Sequence, residues 1–312
     1  MSEKHIYVVG GCDAASGKPL QQVLECERAT APLQWRRSMD MPQALCDAVA
    51  VVSDSNLFVL GGTCHTSLNP YLYVFDTAKA GALWQRLPPA GTYAEHPRPV
   101  PSARIGHAMV EGVYRSEPVL YLFGGHDGTQ HVNDIWRLHV RETLRTQEAV
   151  WEMVDVAEGL LPSAREGASL SYSQEHDALF VFGGSGRFFS NECYVLEMQD
   201  GSNRWVQVPT VGAPSPRRES LSLVHGSRLF LLGGTDAQHA YLPQLCVLDL
   251  GSMRFYTAQL GRHQQECVAE GATCIGWASA AAKAFILFGG TAGNSLFEIR
   301  LEPFEQVAMK KK

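Results

Sequence analysis

Three arginines occupy the same position of a recurring motif. Arg104, Arg165 and Arg217 each follow Pro-Ser-Ala or Pro-Ser-Pro. A guanidinium group pairs with a carboxylate or a phosphate through two parallel hydrogen bonds. If the copies of the motif form a ring, the three side chains converge on its axis and can bind an acidic or carboxylate-bearing ligand. The alternative is structural, with each arginine donating hydrogen bonds to backbone carbonyls of the neighbouring repeat.

A second candidate site is the run Arg187-Phe188-Phe189. Two adjacent phenylalanines in a short loop cannot both point into a core. We therefore expect one ring to be buried beneath the loop and the other, together with Arg187, to be exposed for binding.

These residues lie within a repeated pattern. Six short apolar segments end in a glycine pair, whose first members are Gly10, Gly61, Gly124, Gly183, Gly233 and Gly289. A period near 50 residues indicates a repeat architecture. Each segment predicts a buried strand, and each glycine pair predicts a backbone position with positive φ or a close neighbour.

Other strands can be placed around each glycine strand. A second apolar run follows it, as at 133–138 and 191–196, and a segment beginning at the arginine motif precedes it. A single large aromatic residue closes most repeats: Trp35, Trp84, Trp151, Trp205 and Phe255. Four strands in each of six repeats predict a β-propeller.

The glycine pairs, the closing aromatic residues and the opening Arg104-Ile105-Gly106-His107 resemble the Kelch repeat over essentially the whole chain. The resemblance implies an all-β, six-bladed Kelch-type propeller with four-stranded antiparallel blades, forming one domain over residues 1–312. The expected blades are approximately 1–40, 41–93, 101–156, 162–210, 214–260 and 268–309.

The closure of the ring has two solutions. The first repeat begins at its glycine strand, so its blade has three strands if residues 304–309 form the outer strand of the sixth blade. Alternatively, the C-terminal strand completes the first blade, as is common in the Kelch family. The short connection at Glu302-Pro303 favours the first solution.

The resemblance also places the loops that follow the glycine pairs on one face, together with the proline-rich insertion 87–100. This face contributes the candidate binding residues His65, His126, Asp127 and Tyr241, in addition to the loop at Arg187. Its aromatic, histidine and arginine content is typical of a recognition surface.

No cofactor or metal site is expected. The post-glycine histidines, including His131 and His239, lack acidic or cysteine partners at a recognisable spacing, and His107 is expected to be a satisfied core residue. The eight cysteines show no CxxC pair, and we expect them to behave as small apolar side chains.

Charge and targeting signals restrict the class of partner. The net charge of −6 excludes nucleic acid as the default ligand, and Lys310-Lys311-Lys312 is interpreted as a solvated end. The first residues enter a strand without a secretory signal, and no apolar run is long enough to span a membrane. We expect a monomeric protein in the reducing cytoplasm.

Three functions remain open. The first is a non-enzymatic scaffold or adaptor whose loop face binds another protein or a peptide. The second is a sugar or sugar-acid enzyme of the epimerase or lyase type, for which Arg217 and Glu219 would share one face of a strand while Arg165 and Glu166 would not. The third is an assembly part that docks through its outermost strands.

Overall fold

The computed structural model describes residues 5–13, 15–27, 34–88, 99–157, 159–199, 202–209, 211–258, 275–279, 284–289 and 295–300. The chain divides into two compact units, Met1–Asp155 and Val156–Lys312. Among the described residues, each unit holds three antiparallel sheets of three or four strands that pair in chain order, and the first unit also holds a two-stranded hairpin. The chain is an all-β protein of the β-propeller type, and its complete blades have four antiparallel strands.

The first unit contains sheets 1 to 3. Sheet 1 consists of β1 (His5–Val9), β2 (Val23–Glu27) and β3 (Trp35–Arg37). Sheet 2 consists of β4 (Val49–Ser53), β5 (Asn56–Leu60), β8 (Leu72–Asp76) and β9 (Gln85–Leu87), with a small hairpin of β6 (Thr63–Cys64) and β7 (Ser67–Leu68) after β5. Sheet 3 consists of β10 (Ala108–Tyr114), β11 (Glu117–His126), β12 (His131–His139) and β13 (Trp151–Met153), with helix α1 (Val140–Thr146) before β13.

The second unit contains sheets 4 to 6. Sheet 4 consists of β14 (Ser169–Ser173), β15 (Ala178–Phe182), β16 (Cys193–Gln199) and β17 (Ser202–Val208). Sheet 5 consists of β18 (Leu221–His225), β19 (Arg228–Leu232), β20 (Leu245–Asp249) and β21 (Arg254–Ala258). Sheet 6 consists of β22 (Ile275–Ser279), β23 (Ala284–Gly289) and β24 (Ser295–Arg300).

The strand number agrees with the predicted four-strand repeat in sheets 2 to 5, and three strands of sheet 1 are described. The strand expected at 304–309 and the lysine tail lie outside the described residues. The count of six blades, the closure of the ring and the single domain therefore stay predictions.

The glycine strands of sheets 2 to 5 are almost entirely buried. Val119, Leu120, Tyr121 and Leu122 of β11 all have no exposed surface. Apolar clusters fill the space between neighbouring sheets, one between sheets 1 and 2, one between sheets 2 and 3 and one between sheets 4 and 5. Burying a large apolar side chain contributes about 1.5–3 kcal/mol.

The glycine pairs let the next sheet approach closely. Gly61 has a φ of +66°, and a Cβ atom there would lie 2.5 Å from the carbonyl oxygen of Arg104. The neighbouring Gly62 N–H donates to the same oxygen at 3.0 Å. A side chain at Gly61 would lie against this carbonyl and would also have to adopt a positive φ. Residues other than glycine are therefore disfavoured at this position.

Within the part of the chain that the structure describes, no helix combines the length and apolarity needed to cross a membrane.

Candidate recognition surface

At the loop end of each of sheets 2 to 5, three residues lie side by side in paired segments. We call these three residues the loop-end row of that sheet. The row joins the residue after the arginine position, the residue after the glycine pair and the residue that closes the post-glycine loop. Directly opposed residues of antiparallel segments point to the same side, so each row presents three side chains together. The rows are Cys46, Thr63 and Leu68 in sheet 2; Ile105, His126 and His131 in sheet 3; Glu166, Ser185 and Phe189 in sheet 4; and Arg218, Thr235 and Tyr241 in sheet 5.

The guanidinium group of Arg104 is bound within its own sheet. Its Nη1 and Nη2 atoms donate to the Asp134 carboxylate at 2.6 and 2.9 Å. It also donates to Ser102 and to the Gly124 carbonyl. The side chain is 1% exposed, and these contacts engage all five N–H donors of the guanidinium.

Arg165 and Arg217 repeat this arrangement in sheets 4 and 5. Both are buried. Each donates to the serine two residues earlier, to the first glycine carbonyl of its own sheet and to a side chain just before the third strand: Ser163, Gly183 and Glu192 for Arg165, and Ser215, Gly233 and Gln244 for Arg217. Burial lowers the pKa of Arg217, which has an amide partner where the other two have a carboxylate.

These contacts correct one of the two interpretations of the arginines. The side chains bind their own sheet and not the carbonyls of the neighbouring one. The link between sheets is instead made by the main chain, because the Gly184 N–H donates to the Arg217 carbonyl at 2.8 Å, as Gly62 does to that of Arg104. Ligand binding by the three arginines stays a prediction.

The loop Arg187-Phe188-Phe189 places its two rings differently. Phe188 is 74% exposed and is the most exposed large apolar side chain among the described residues. The Arg187 guanidinium carbon lies 5.4 Å from its ring centroid, within the range of a cation–π contact. Phe189 is half-buried and lies 5.8 Å from the Arg218 guanidinium carbon.

Arg218 is a further functional candidate that the repeat pattern does not predict. Its Nη1 lies 3.5 Å from Glu166, and its Nε lies 3.6 Å from Glu219. Arg218 and Glu166 occupy the same row position in adjacent sheets, so this ion pair joins sheets 4 and 5. The sequence contains one signal for this residue. Sheets 3 and 4 have Arg-x-Gly at the motif, whereas sheet 5 has Arg217-Arg218-Glu219.

The prediction that Arg217 and Glu219 share one face is wrong. Glu219 has a φ of +60°, where Gly106 and Gly167 stand in sheets 3 and 4. The alternation rule applies only to extended backbone. Consequently Arg217 is buried in its sheet, whereas the Glu219 side chain is 58% exposed beside Arg218.

In the first unit, the post-glycine loop of sheet 3 is held by local contacts. Hydrogen bonds from Thr129 and Gln130 lower the pKa of the Asp127 carboxyl to about 2. The His126 and His131 rings meet edge to face at 4.9 Å, and His126 Nδ1 accepts the Gly128 N–H. Asp13 and Asp236 form similar turns in sheets 1 and 5, so this aspartate position shapes the loop.

His65 and Tyr241 are the remaining predicted binding residues. His65 is exposed in the β6–β7 hairpin with a φ of +56°. Tyr241 is 44% exposed in the row of sheet 5. They belong to different units. No cluster of three or more metal-ligating side chains occurs among the described residues.

The structure differs from the sequence-based predictions in the bonding of two cysteines and one histidine. Cys12 and Cys46 form a disulfide between the post-glycine loop of sheet 1 and the opening of sheet 2. His107 is buried as predicted, but neither ring nitrogen has a hydrogen-bond partner among the described residues. Burial and the nearby Arg104 lower the pKa of His107 to about 3.

Known families and proteins share this pattern. The model described as the KLHDC2/KLHL20/DRC7 Kelch-repeats domain matches residues 1–234 and, in an overlapping match, 138–302. The leucine-zipper-like transcriptional regulator 1 homolog of Drosophila melanogaster is 27% identical over 259 residues, which are 79% of this chain and 24% of that protein. Kelch domain-containing protein 2 of Homo sapiens is 29% identical over 141 residues, which are 37% of this chain and 33% of that protein.

Proposed function

The chain belongs to the Kelch-repeat family, and we propose that it is a non-enzymatic scaffold or adaptor module that binds another protein or a peptide through its post-glycine loops. We further propose that its sheets are six blades of one monomeric propeller. The relatives above include a protein named as a transcriptional regulator. The chain spans no more than a third of the length of these relatives, so their activities are not transferred.

The observation that carries the proposal is the loop at Phe188. A 74% exposed phenylalanine flanked by arginine, at a loop tip anchored by the Ser185–Phe189 pairing, has the chemistry of a binding hot spot. The half-buried Phe189 and the 44% exposed Tyr241 add aromatic surface in the rows of sheets 4 and 5. Aromatic and arginine side chains dominate the binding energy of protein interfaces.

An arginine-lined site for an acidic ligand is not part of this proposal. All five donors of Arg104 are engaged within sheet 3, and Arg165 is engaged in the same way in sheet 4. Binding a carboxylate there would require breaking buried charged hydrogen bonds, which are costly to leave unmade.

The test uses displayed random peptides of about twelve residues, selected on the purified chain. The affinities of the selected peptides are then measured for the wild type and for the double variant Arg187→Ser, Phe188→Ser. We expect a loss of about thirtyfold, equivalent to a hot spot of about 2 kcal/mol. Thermal unfolding confirms that the variant is folded.

The matched control is Leu83→Ser, because Leu83 is 70% exposed beside the outer strand of sheet 2. This substitution should leave the affinities unchanged. If Leu83→Ser abolishes binding and the loop variant does not, the protein docks through its outer strands. If no peptide is enriched on the wild type, the proposed function is wrong.

A further inference from the structure

Two polar atoms in the row of sheet 5 are buried and make no hydrogen bond among the described residues. Arg218 Nε and Thr235 Oγ1 have no hydrogen-bond partner among the described residues, and Thr235 is only 7% exposed. Their main chains are directly paired, with Arg218 N–H to Thr235 O at 3.0 Å and Thr235 N–H to Arg218 O at 2.9 Å. An unsatisfied buried polar group costs about 1–3 kcal/mol, so its retention calls for an explanation.

The hydrogen bonding of Arg218 differs from that of the three structural arginines. Arg104 engages all five of its donors. Among the described residues, Arg218 makes one side-chain hydrogen bond, to Glu166 over a long distance of 3.5 Å. A guanidinium group has five N–H donors, so most of those on Arg218 are available to an acceptor.

The charges around Arg218 determine which acceptor fits. Arg218 lies beside two carboxylates, those of Glu166 and Glu219, which together more than offset its single positive charge. An incoming carboxylate would meet two carboxylates already beside the guanidinium. A main-chain carbonyl accepts the same hydrogen bonds without that repulsion.

Resting on the proposed function, we infer that Arg218 and Thr235 are the polar anchor of the peptide site and that the ligand is an extended, uncharged, apolar segment of a protein. A main-chain carbonyl of the segment accepts from Arg218, and its apolar side chains pack on Phe188, Phe189 and Tyr241. Arg218 Nε and Thr235 Oγ1 are buried in the unliganded protein. The ligand reaches them through rotation about the single bonds of the Arg218 side chain.

The experiment uses the peptides selected on the wild type and two conservative variants. Arg218→Lys keeps the positive charge but removes Nε and the planar fork of donors. Thr235→Val keeps the shape and removes the hydroxyl. We expect each to weaken binding about tenfold, the usual effect of losing one hydrogen bond to a buried or charged group.

A purely structural role predicts different results. Removing an unpartnered hydroxyl leaves the thermal stability of Thr235→Val unchanged or raised, so a fall in affinity without a fall in stability supports ligand contact. The matched control is Arg254→Lys, since Arg254 is exposed on β21 of the same sheet. It should bind like the wild type.

Peptide composition supplies a second readout. We expect apolar, uncharged sequences whose affinities change by less than about twofold between low and high salt, because a neutral acceptor is little affected by screening. Acidic sequences with strongly salt-dependent binding would overturn the inference. Peptides that require Phe188 but ignore both Arg218→Lys and Thr235→Val would also overturn it, while leaving the proposed function intact.

Discussion

Arg104 and Asp134 form a two-point ion pair in which Nη1 lies 2.6 Å from Oδ1 and Nη2 lies 2.9 Å from Oδ2. The same guanidinium reaches the Gly124 carbonyl at the end of the glycine stretch and Ser102 in the opening segment. Asp134 Oδ2 also accepts the Trp136 indole N–H at 2.6 Å. One side chain thus ties together the opening segment, the second strand and the third strand of sheet 3.

The first prediction concerns this clamp. Arg104→Ala removes the cationic partner of Asp134 and the guanidinium donor to the Gly124 carbonyl, and we expect it to lower the free energy of unfolding by about 3–5 kcal/mol. Chemical denaturation measures the change. Arg204→Ala is the matched control, because the Arg204–Glu197 pair is 60% and 42% exposed and should cost no more than about 1 kcal/mol. Equal effects of the two substitutions would contradict the structural role of Arg104.

The second prediction concerns pH. The pKa of His107 falls from 6.5 to about 3 on folding, because the buried ring is charged only at a cost. The unfolded chain therefore binds the proton more tightly. The contribution of neutral His107 to stability is fully present above pH 6.5 and is lost as the pH falls toward 3. One proton gives a slope of up to about 1.4 kcal/mol per pH unit.

His107→Leu removes this titration while retaining an apolar side chain of similar size. Chemical denaturation between pH 8 and 4 should show that the free energy of unfolding falls less steeply for the variant than for the wild type. The titration of carboxyl groups contributes equally to both proteins. Parallel profiles for the two proteins would show that His107 does not titrate between its folded and unfolded states in this range.

The repeat pattern predicts the strands because its signals are local. The apolar run 119–123 before Gly124 is fully buried as β11, and Trp151 and Trp205 lie in outer strands. These features depend on side-chain size and period alone, so they can be identified without knowing which sheets are neighbours.

The candidate site is harder to predict from the sequence than the strands are. Arg218 matters because Glu166 occupies the same row position in the adjacent sheet, a relationship that exists only after folding. Strand alternation predicts the wrong face for Glu219 because its backbone has a positive φ. The Cys12–Cys46 bond joins residues 34 apart with no motif spacing, so the sequence gives no signal for it.

The third prediction concerns that disulfide. Sheet 2 has Leu45 where sheets 3 to 5 have an arginine. The disulfide at the next residue, Cys46, links sheet 2 to sheet 1. The double variant Cys12→Ser, Cys46→Ser should lose about 3–4 kcal/mol of stability, as the closed loop no longer restricts the unfolded chain. Thermal unfolding with and without a thiol reductant measures this loss.

The free, partly exposed Cys64 provides the control for the disulfide. Cys64→Ser should leave the sensitivity to reductant unchanged, whereas the double variant should no longer respond to it. A wild type whose unfolding temperature is the same with and without reductant would contradict a stabilising role for the disulfide.

The fourth prediction concerns the seam between sheets 2 and 3. At Gly61 a methyl group would lie 2.5 Å from the Arg104 carbonyl oxygen and would also clash with the His107 ring. Gly17 has nearly the same φ, +65° against +66°, but nothing lies within 4 Å of its Cβ position. Comparing the two alanine variants therefore separates the backbone cost from the steric one.

Gly17→Ala should cost about 1–2 kcal/mol, the penalty for an alanine in the left-handed region. Gly61→Ala should cost about 3–5 kcal/mol, because displacement of the Arg104 carbonyl is added and the Gly62 N–H bond to it at 3.0 Å is weakened. Chemical denaturation of both variants measures the difference. A Gly61→Ala variant no less stable than Gly17→Ala would show that the seam accommodates a methyl group and that its close approach does not depend on glycine.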